Sequence, residues 1–187
     1  SEKAYAACIY LRTVTEKGIK VKLLVGKTRV APLKSLSIPR LELCAALLGA
    51  TLVEAVKEAL SDPRFPELKF FAWLDSTIVL SWLAQSPDKW KTFVRNRVSK
   101  IRDILPSSCW NHISTRENPA DCASRGITGS EIENKTLWWN GPSWLSQHEN
   151  EWPQVEFLCL RNCPEENKKI QIITTNVDSE QTFLEIT

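Results

Sequence analysis

Three carboxylates lie where a predicted element begins or ends, and these are the residues whose positions could support chemistry. Asp75 follows the apolar run at 70–74, Glu42 lies near the start of a predicted long helix, and Asp121 starts a short helical turn. Ligands gather at the carboxyl ends of strands in open α/β sheets. Acids clustered in a basic domain repel each other unless a cation holds them, and hard oxygen ligands select Mg²⁺ or Mn²⁺. Two such ions clamp the attacking and leaving oxygens of a phosphodiester.

Two of these acids also have a purely structural interpretation. Asp75 could cap the helix predicted at 77–83, although Ser76 or Thr77 could do so instead. Glu42, in the first turn of its helix, would be favoured by the helix dipole. The same side of that helix carries Ala46 and Gly49, small residues that allow a second element to approach closely. From the residues alone, both interpretations stay open.

The elements that must position the acids follow from apolar periodicity. The pattern predicts a hairpin from strands at 4–12 and 19–25, a short third strand at 28–31, and a helix beginning at Ser37-Ile38-Pro39 with one apolar stripe. A strand buried on both faces is predicted at 70–74, another strand at 109–114, and a short helical turn at 120–126 that Gly126 closes. The fold class is therefore mixed α/β.

A basic amphipathic helix is predicted at 89–105. One stripe is apolar, and the remaining surface carries the basic residues Lys89, Lys91, Arg95, Arg97, Lys100 and Arg102. Residues 1–130 contain 20 Lys and Arg against 12 Asp and Glu, whereas residues 131–187 contain 4 against 10. A basic body with an acidic tail suggests a polyanionic partner, and the basic helix is the predicted nucleic-acid contact.

Composition sets the remaining expectations. The chain has no Met and starts at Ser1, which suggests an excerpt of a longer reading frame. It has no signal peptide and no run of 18 apolar residues, and Cys8 and Cys44 are interpreted as buried reduced thiols of an intracellular protein. The predicted organisation is a domain at 1–130, a Trp-rich extension packed on it at 131–163, and a mobile acidic linker at 164–187.

Seven motifs, taken together, give the sequence a resemblance to a known family. They are Ser1-Glu2-Lys3-Ala4-Tyr5-Ala6-Ala7, Lys27-Thr28-Arg29-Val30-Ala31-Pro32-Leu33-Lys34, Ile38-Pro39-Arg40-Leu41-Glu42-Leu43, Asp75-Ser76-Thr77, Phe93-Val94-Arg95-Asn96-Arg97-Val98, Asn118-Pro119-Ala120-Asp121 with Ser124-Arg125-Gly126, and Trp138-Trp139-Asn140-Gly141-Pro142. In this order they resemble the ribonuclease H-like domain in the Pol polyprotein of BEL/Pao-type LTR retrotransposons, over about residues 1–155.

The resemblance implies a ribonuclease H-like fold, with a five-stranded mixed sheet flanked by helices. It also implies cleavage of the RNA strand in an RNA/DNA hybrid during reverse transcription. The family's metal site maps onto Glu42, Asp75 and Asp121 and would hold two Mg²⁺ or Mn²⁺ ions. The implied partners are the hybrid and the neighbouring reverse transcriptase and integrase domains, in the cytoplasm (within a virus-like particle) or the nucleus, with no membrane and no small-molecule substrate.

The family's first-strand Asp has no counterpart in this sequence. It belongs to a pattern resembling Asp-Ala-Ser-Glu, and this sequence opens at Ser1-Glu2. The loop His of related ribonucleases H is also not evident. His112, on the preceding strand, is interpreted as a sheet histidine rather than a catalytic helper. Without a central metal ligand, we expect the cleavage activity of this chain to be weak or impaired.

Three rival interpretations remain. A non-catalytic nucleic-acid-binding remnant would use the basic helix and the sheet without turnover. An aspartic peptidase needs Asp-Ser/Thr-Gly, and Asp75-Ser76-Thr77 lacks the Gly. A zinc module from His148, Cys159 and Cys163 has irregular spacing and lacks a fourth ligand.

Overall fold

The computed structural model describes residues 2–153, which form four strands and six α-helices. The strands are β1 (Ala4–Thr15), β2 (Gly18–Val30), β3 (Ala72–Leu74) and β4 (Trp110–His112). The helices are α1 (Ile38–Ala59), α2 (Thr77–Ala84), α3 (Thr92–Ile104), α4 (Ala120–Arg125), α5 (Gly129–Glu133) and α6 (Thr136–Asn140). Short 3₁₀ turns connect several of them.

The N-terminal hairpin is confirmed, but it is longer than predicted. β1 and β2 pair antiparallel from Ala4 opposite Val30 to Thr15 opposite Gly18, with an irregularity between Ile9 and Tyr10. Gly18 closes the turn with φ +114°, a conformation that few other residues adopt. The separate third strand at 28–31 is wrong, because residues 28–30 continue β2 in unbroken register with β1.

The five-stranded sheet implied by the resemblance is not what the described residues form. They form two two-stranded sheets, the hairpin and a parallel pair of β3 with β4. β3 covers only Ala72–Leu74 and is half-buried. The prediction of a longer strand at 70–74, buried on both faces, is therefore wrong. Phe71 lies outside the strand and packs its ring against the Trp152 ring, with centroids 4.9 Å apart. Aromatic packing therefore takes the place of strand pairing at this position.

Helix α1 lies between the hairpin and helix α3. The start at Ser37 and Pro39 is confirmed, with Ser37 as the N-cap. Leu43, Ala46 and Ala50 are buried with residues of α2 and α3 such as Val79, Val94 and Val98. A Cβ placed on Gly49 would lie 3.5 Å from the Cβ of Ala7 in β1. Because α1 is covered on both sides, its buried surface is wider than the single apolar stripe predicted for it.

The basic helix is confirmed with shifted ends. Its apolar residues Val94, Val98 and Ile101 are fully buried. Lys89 instead belongs to a 3₁₀ turn, Pro87–Lys89, and Lys91 is the N-cap of α3. The strand predicted at 109–114 shortens to Trp110–His112, since a 3₁₀ turn at Ser107–Cys109 leads into it.

The residues after α5 lie against one face of the hairpin. Trp144, Leu145 and Trp152 are buried in a cluster with Val21 and Ile113. The Tyr10 hydroxyl donates to the carbonyl of Trp138 at 2.8 Å. The acidic linker at 164–187 and the end of the predicted extension, with Cys159 and Cys163, lie outside the described residues, and so does most of the proposed zinc set.

Within residues 2–153, none of the helices is both long enough and apolar enough to cross a membrane.

Candidate metal-binding carboxylate site

Asp75 occupies the joint between β3 and α2. The strand ends at Leu74 and the helix begins at Thr77, which leaves Asp75 and Ser76 as the connection. Ser76 is the N-cap, and its side chain accepts a hydrogen bond from the Val79 N–H at 3.3 Å. The cap is therefore Ser76. Asp75, which is half-buried, does not have that structural role.

Glu42 lies in the second turn of α1 rather than the first, because the helix begins at Ile38. The helix dipole falls off within the first turn, so it is a weak explanation for an acid at this position. Burial raises the pKa of Glu42 above its ordinary value, and the charges of Asp75 and Asp121 raise it further, whereas a hydrogen bond with the Ser76 side chain opposes the shift. Glu42 is therefore an electrostatic neighbour of both other acids.

Asp121 is the second residue of α4, as predicted for a helix start that follows a strand. Helix α4 lies against the hairpin, with the Thr28 hydroxyl 3.4 Å from the carbonyl oxygen of Ala123. Burial raises the pKa of Asp121, Arg125 lowers it, and Asp75 raises it. The charge of Asp75, at the joint after β3, thus contributes to the raised pKa of both Glu42 on α1 and Asp121 on α4.

The three carboxylates do not form a compact metal cage. Among residues 2–153, no group of three or more His, Cys, Asp or Glu side chains has the arrangement that would hold a metal ion. The donor set nevertheless suits a hard divalent cation in kind, because it consists of carboxylate oxygens that repel each other. A cation among them would relieve the repulsion that raises the pKa of Glu42 and Asp121.

His112 does not behave as a satisfied sheet histidine. It pairs with Leu74 in the parallel register of β3 and β4, and its buried Nδ1 has no hydrogen-bond partner. Residues directly opposite each other in a sheet share a face, and the next residue along points to the other face. His112 therefore shares the face of Leu74, and Asp75 lies one residue beyond the end of β3.

The contacts of three residues near the acids were missed by the sequence reasoning, although Ser76 was named as a possible cap. Ser76 bonds to Glu42, Arg125 pairs with Asp121, and Arg40 lies over the Phe93 ring with its guanidinium carbon 4.9 Å from the centroid. The i,i+4 spacing of Asp121 and Arg125 was a readable signal. The contact of Arg40 with Phe93 joins α1 to α3 and has no local sequence signal.

The predicted nucleic-acid residues divide into two groups. Lys89, Lys91 and Lys100 are exposed, whereas Arg95, Arg97 and Arg102 are half-buried. Arg97 donates to the carbonyl of Phe93 at 3.0 Å and covers its ring, and Arg102 donates to the carbonyl of Gln85 at 3.1 Å. Two members of the basic set therefore also support the fold, and nucleic-acid contact by this set stays a prediction.

Comparison with known proteins agrees with the motif resemblance over the first part of the chain. Residues 1–76, which include Glu42 and Asp75, match the family model described as the Pao retrotransposon-like RNaseH-like domain. The match ends at Ser76, so Asp121 lies beyond it. Searches of curated proteins and of solved structures each gave no match.

Proposed function

Because residues 1–76 match a retrotransposon RNase H-like domain, we propose that this chain acts as the ribonuclease H-type phosphodiesterase of a retrotransposon polyprotein. Its substrate is the RNA strand of an RNA/DNA hybrid. The proposal extends to the neighbouring reverse transcriptase and integrase domains as its partners. The observation that carries it is that the matched residues include Glu42 and Asp75. The charges of Asp75 and Asp121 also contribute to the raised pKa of Glu42, after burial.

In this function, the three acids would hold divalent cations, Mg²⁺ or Mn²⁺, two of them in a complete site. When bound, such ions activate the attacking water and stabilise the leaving oxygen. Ser76, which follows Asp75 in the chain, caps α2 and also lowers the pKa of Glu42 through a hydrogen bond. Phe93, between Arg40 and Arg97, links the start of α1 to the basic surface of α3.

The basic residues of α3 would contact the phosphates of the hybrid. Phosphate contacts supply affinity that falls with salt and carry no sequence information. Proteins that bind nucleic-acid duplexes in this way read helix shape and 2′-hydroxyl groups. We therefore expect cleavage to depend little on the sequence of the hybrid.

The test is Mg²⁺-dependent cleavage of a labelled RNA/DNA hybrid by the chain and by its Asp75→Asn variant. The resemblance also implies a fourth acid on the first strand, so a version with Asp-Ala added before Ser1 is assayed beside it. Removing the hydrogen-bond partner of a metal ligand costs about 10- to 100-fold, so removing a ligand should reduce cleavage more than about 100-fold. Asp88→Asn is the control, because Asp88 is exposed in a 3₁₀ turn and carries the same charge.

A second candidate function is non-catalytic binding of the hybrid. It is favoured by one observation, the lack of a compact metal-binding group among residues 2–153. If neither version cuts but both bind the hybrid, with an affinity that falls with salt and on substitution of Lys100, the binding module is the function. If neither version cuts or binds, both proposals are wrong.

A further inference from the structure

Asp121, the proposed metal ligand on α4, already has a partner. Arg125 Nη2 lies 2.7 Å from Asp121 Oδ2, one helical turn away. The Asp121 side chain is 22% exposed and that of Arg125 is 63% exposed. Arg125 is the last residue of α4, and Gly126 ends the helix with φ +83°. The pair thus joins a mostly buried carboxylate to a guanidinium group that is mostly exposed.

This ion pair contributes little to the fold. Exposed i,i+4 pairs contribute marginally to stability, since solvent screens them and both side chains lose freedom. Its larger effect is on Asp121 itself. Burial and the charge of Asp75 raise the pKa of Asp121, and Arg125 lowers it. Arg125 is the cation that the structure shows beside this carboxylate.

We propose that Arg125 is a built-in counter-ion, which pairs with Asp121 until a divalent cation binds and displaces it. The inference rests on the proposed function, because it takes Asp121 as a metal ligand. An ionised carboxylate only accepts, and Oδ2 accepts from the guanidinium at 2.7 Å. A hard cation needs a carboxylate oxygen of the same residue. The two cations therefore compete, and the exposed arginine at a helix end is the one that can leave.

The arrangement of the acids agrees with this competition. Within the described part of the chain, the acids form no ready-made group that would hold a metal ion. Asp121 Oδ2 is instead engaged by Arg125 Nη2. Binding of a divalent cation therefore includes breaking the Asp121–Arg125 pair. The cost of breaking the pair weakens the apparent affinity of the chain for that cation. Arg125 is in this sense a positioning residue and has no contact with reacting atoms in the proposal.

The experiment measures Mn²⁺ binding to the full chain by calorimetry, with no nucleic acid present. Arg125→Gln removes the competing charge and should tighten binding about two- to fivefold, the equivalent of one partly exposed ion pair. Arg125→Lys keeps a cation without the planar guanidinium and should fall between the two. Arg116→Gln is the control for a general loss of positive charge, because Arg116 is exposed in the 3₁₀ turn before α4. It should bind Mn²⁺ as the original chain does.

The outcomes separate this inference from the proposed function. If the chain binds Mn²⁺ and Arg125→Gln binds it equally or more weakly, the counter-ion role is wrong and the metal site stands. If only Arg125→Gln binds, the role is confirmed in its strongest form. If neither binds, the metal site and the counter-ion role are both wrong. Equal melting temperatures of the variants without metal would exclude a merely structural effect.

Discussion

One hydroxyl group connects Glu42 on α1 to the cap of α2. The Ser76 side chain accepts from the Val79 N–H, which starts α2, and is hydrogen-bonded to Glu42 on α1. Since a hydroxyl has one proton and two lone pairs, it can serve both partners at once. Ser76 is buried, so these bonds face little competition from water. A single residue therefore caps α2 and bonds to the acid on α1.

The raised pKa of Glu42 predicts a gain in stability when its charge is removed. In the folded protein, burial and neighbouring acids oppose ionisation. The neutral carboxyl is thus the better-tolerated form, and Glu42→Gln should raise the melting temperature at pH 7 without divalent cations. Because the side chain is only half-buried, screening limits the gain to less than about 1 kcal/mol, or about 2–4 °C.

The gain in stability from Glu42→Gln should depend on pH. An acid with a raised folded pKa destabilises the fold as pH rises from its unfolded value, near 4.5, through the folded value. Thermal melts should therefore coincide for Glu42→Gln and the original chain below about pH 4.5 and diverge toward pH 7. Glu54→Gln, exposed on the same helix, should show no divergence. Equal melting temperatures of Glu42→Gln and the original chain at pH 7 would contradict the raised pKa of Glu42.

At the scale of elements, α1 is the helix on which the site depends. It carries Glu42, contacts β1 at Gly49 and buries its other side against α3. The Arg40–Phe93 contact adds a polar link between α1 and α3. The small residues near Glu42 thus have the role expected from sequence, which is to admit a second element.

Helix α1 should tolerate one added methyl group at Gly49 and no more. The Cβ of Gly49→Ala would meet the Ala7 Cβ at 3.5 Å, an ordinary contact. Glycine inside a helix costs about 0.5–1 kcal/mol relative to alanine, so Gly49→Ala should stabilise the protein by about that amount in urea unfolding. Gly49→Leu should instead destabilise it by about 1–3 kcal/mol, because it must displace β1. If Gly49→Leu is neutral, α1 and β1 are not in close contact.

At the scale of the whole described molecule, the aromatic residues after α6 are joined to the hairpin by polar bonds as well as by packing. Arg12 donates through Nε to the Leu145 carbonyl at 2.9 Å and through Nη2 to the Gln147 carbonyl at 2.8 Å. Its guanidinium also lies over the Trp152 ring, 5.2 Å from the centroid. The hairpin thus contacts both α4, which carries Asp121, and the residues of the aromatic cluster.

Arg12→Ala should loosen the aromatic residues from the hairpin. Hydrogen bonds to charged groups contribute about 1.5–3 kcal/mol each when buried, and partial exposure reduces the combined loss here to about 2 kcal/mol. Amide hydrogen exchange at 143–152 should rise, while exchange in α3 should change little. Arg29→Ala, exposed on the same hairpin, is the control. Unchanged exchange at 143–152 would show that ring packing alone holds these residues.

The sequence by itself determined the elements with strong local signals. Gly18 and Gly126 predicted their turns because positive φ excludes most side chains, and the apolar spacing of α3 predicted the face that is buried. The motifs around Glu42 and Asp75 indicated the family that residues 1–76 match. The three acids could be singled out because the apolar pattern predicts Asp75 and Asp121 at the ends of elements and Glu42 near the start of a helix.

Tertiary structure alone decided how those elements meet. The length of β3 depends on which strands and rings lie beside it, and Phe71 is turned toward Trp152, 81 residues further along the chain. The choice of Ser76 as the cap depends on the bend after Leu74, and the i,i+4 spacing left open whether Arg125 would pair with Asp121. Such contacts join side chains whose partners are fixed only when the chain is folded, so local pattern could name the acids but not their partners.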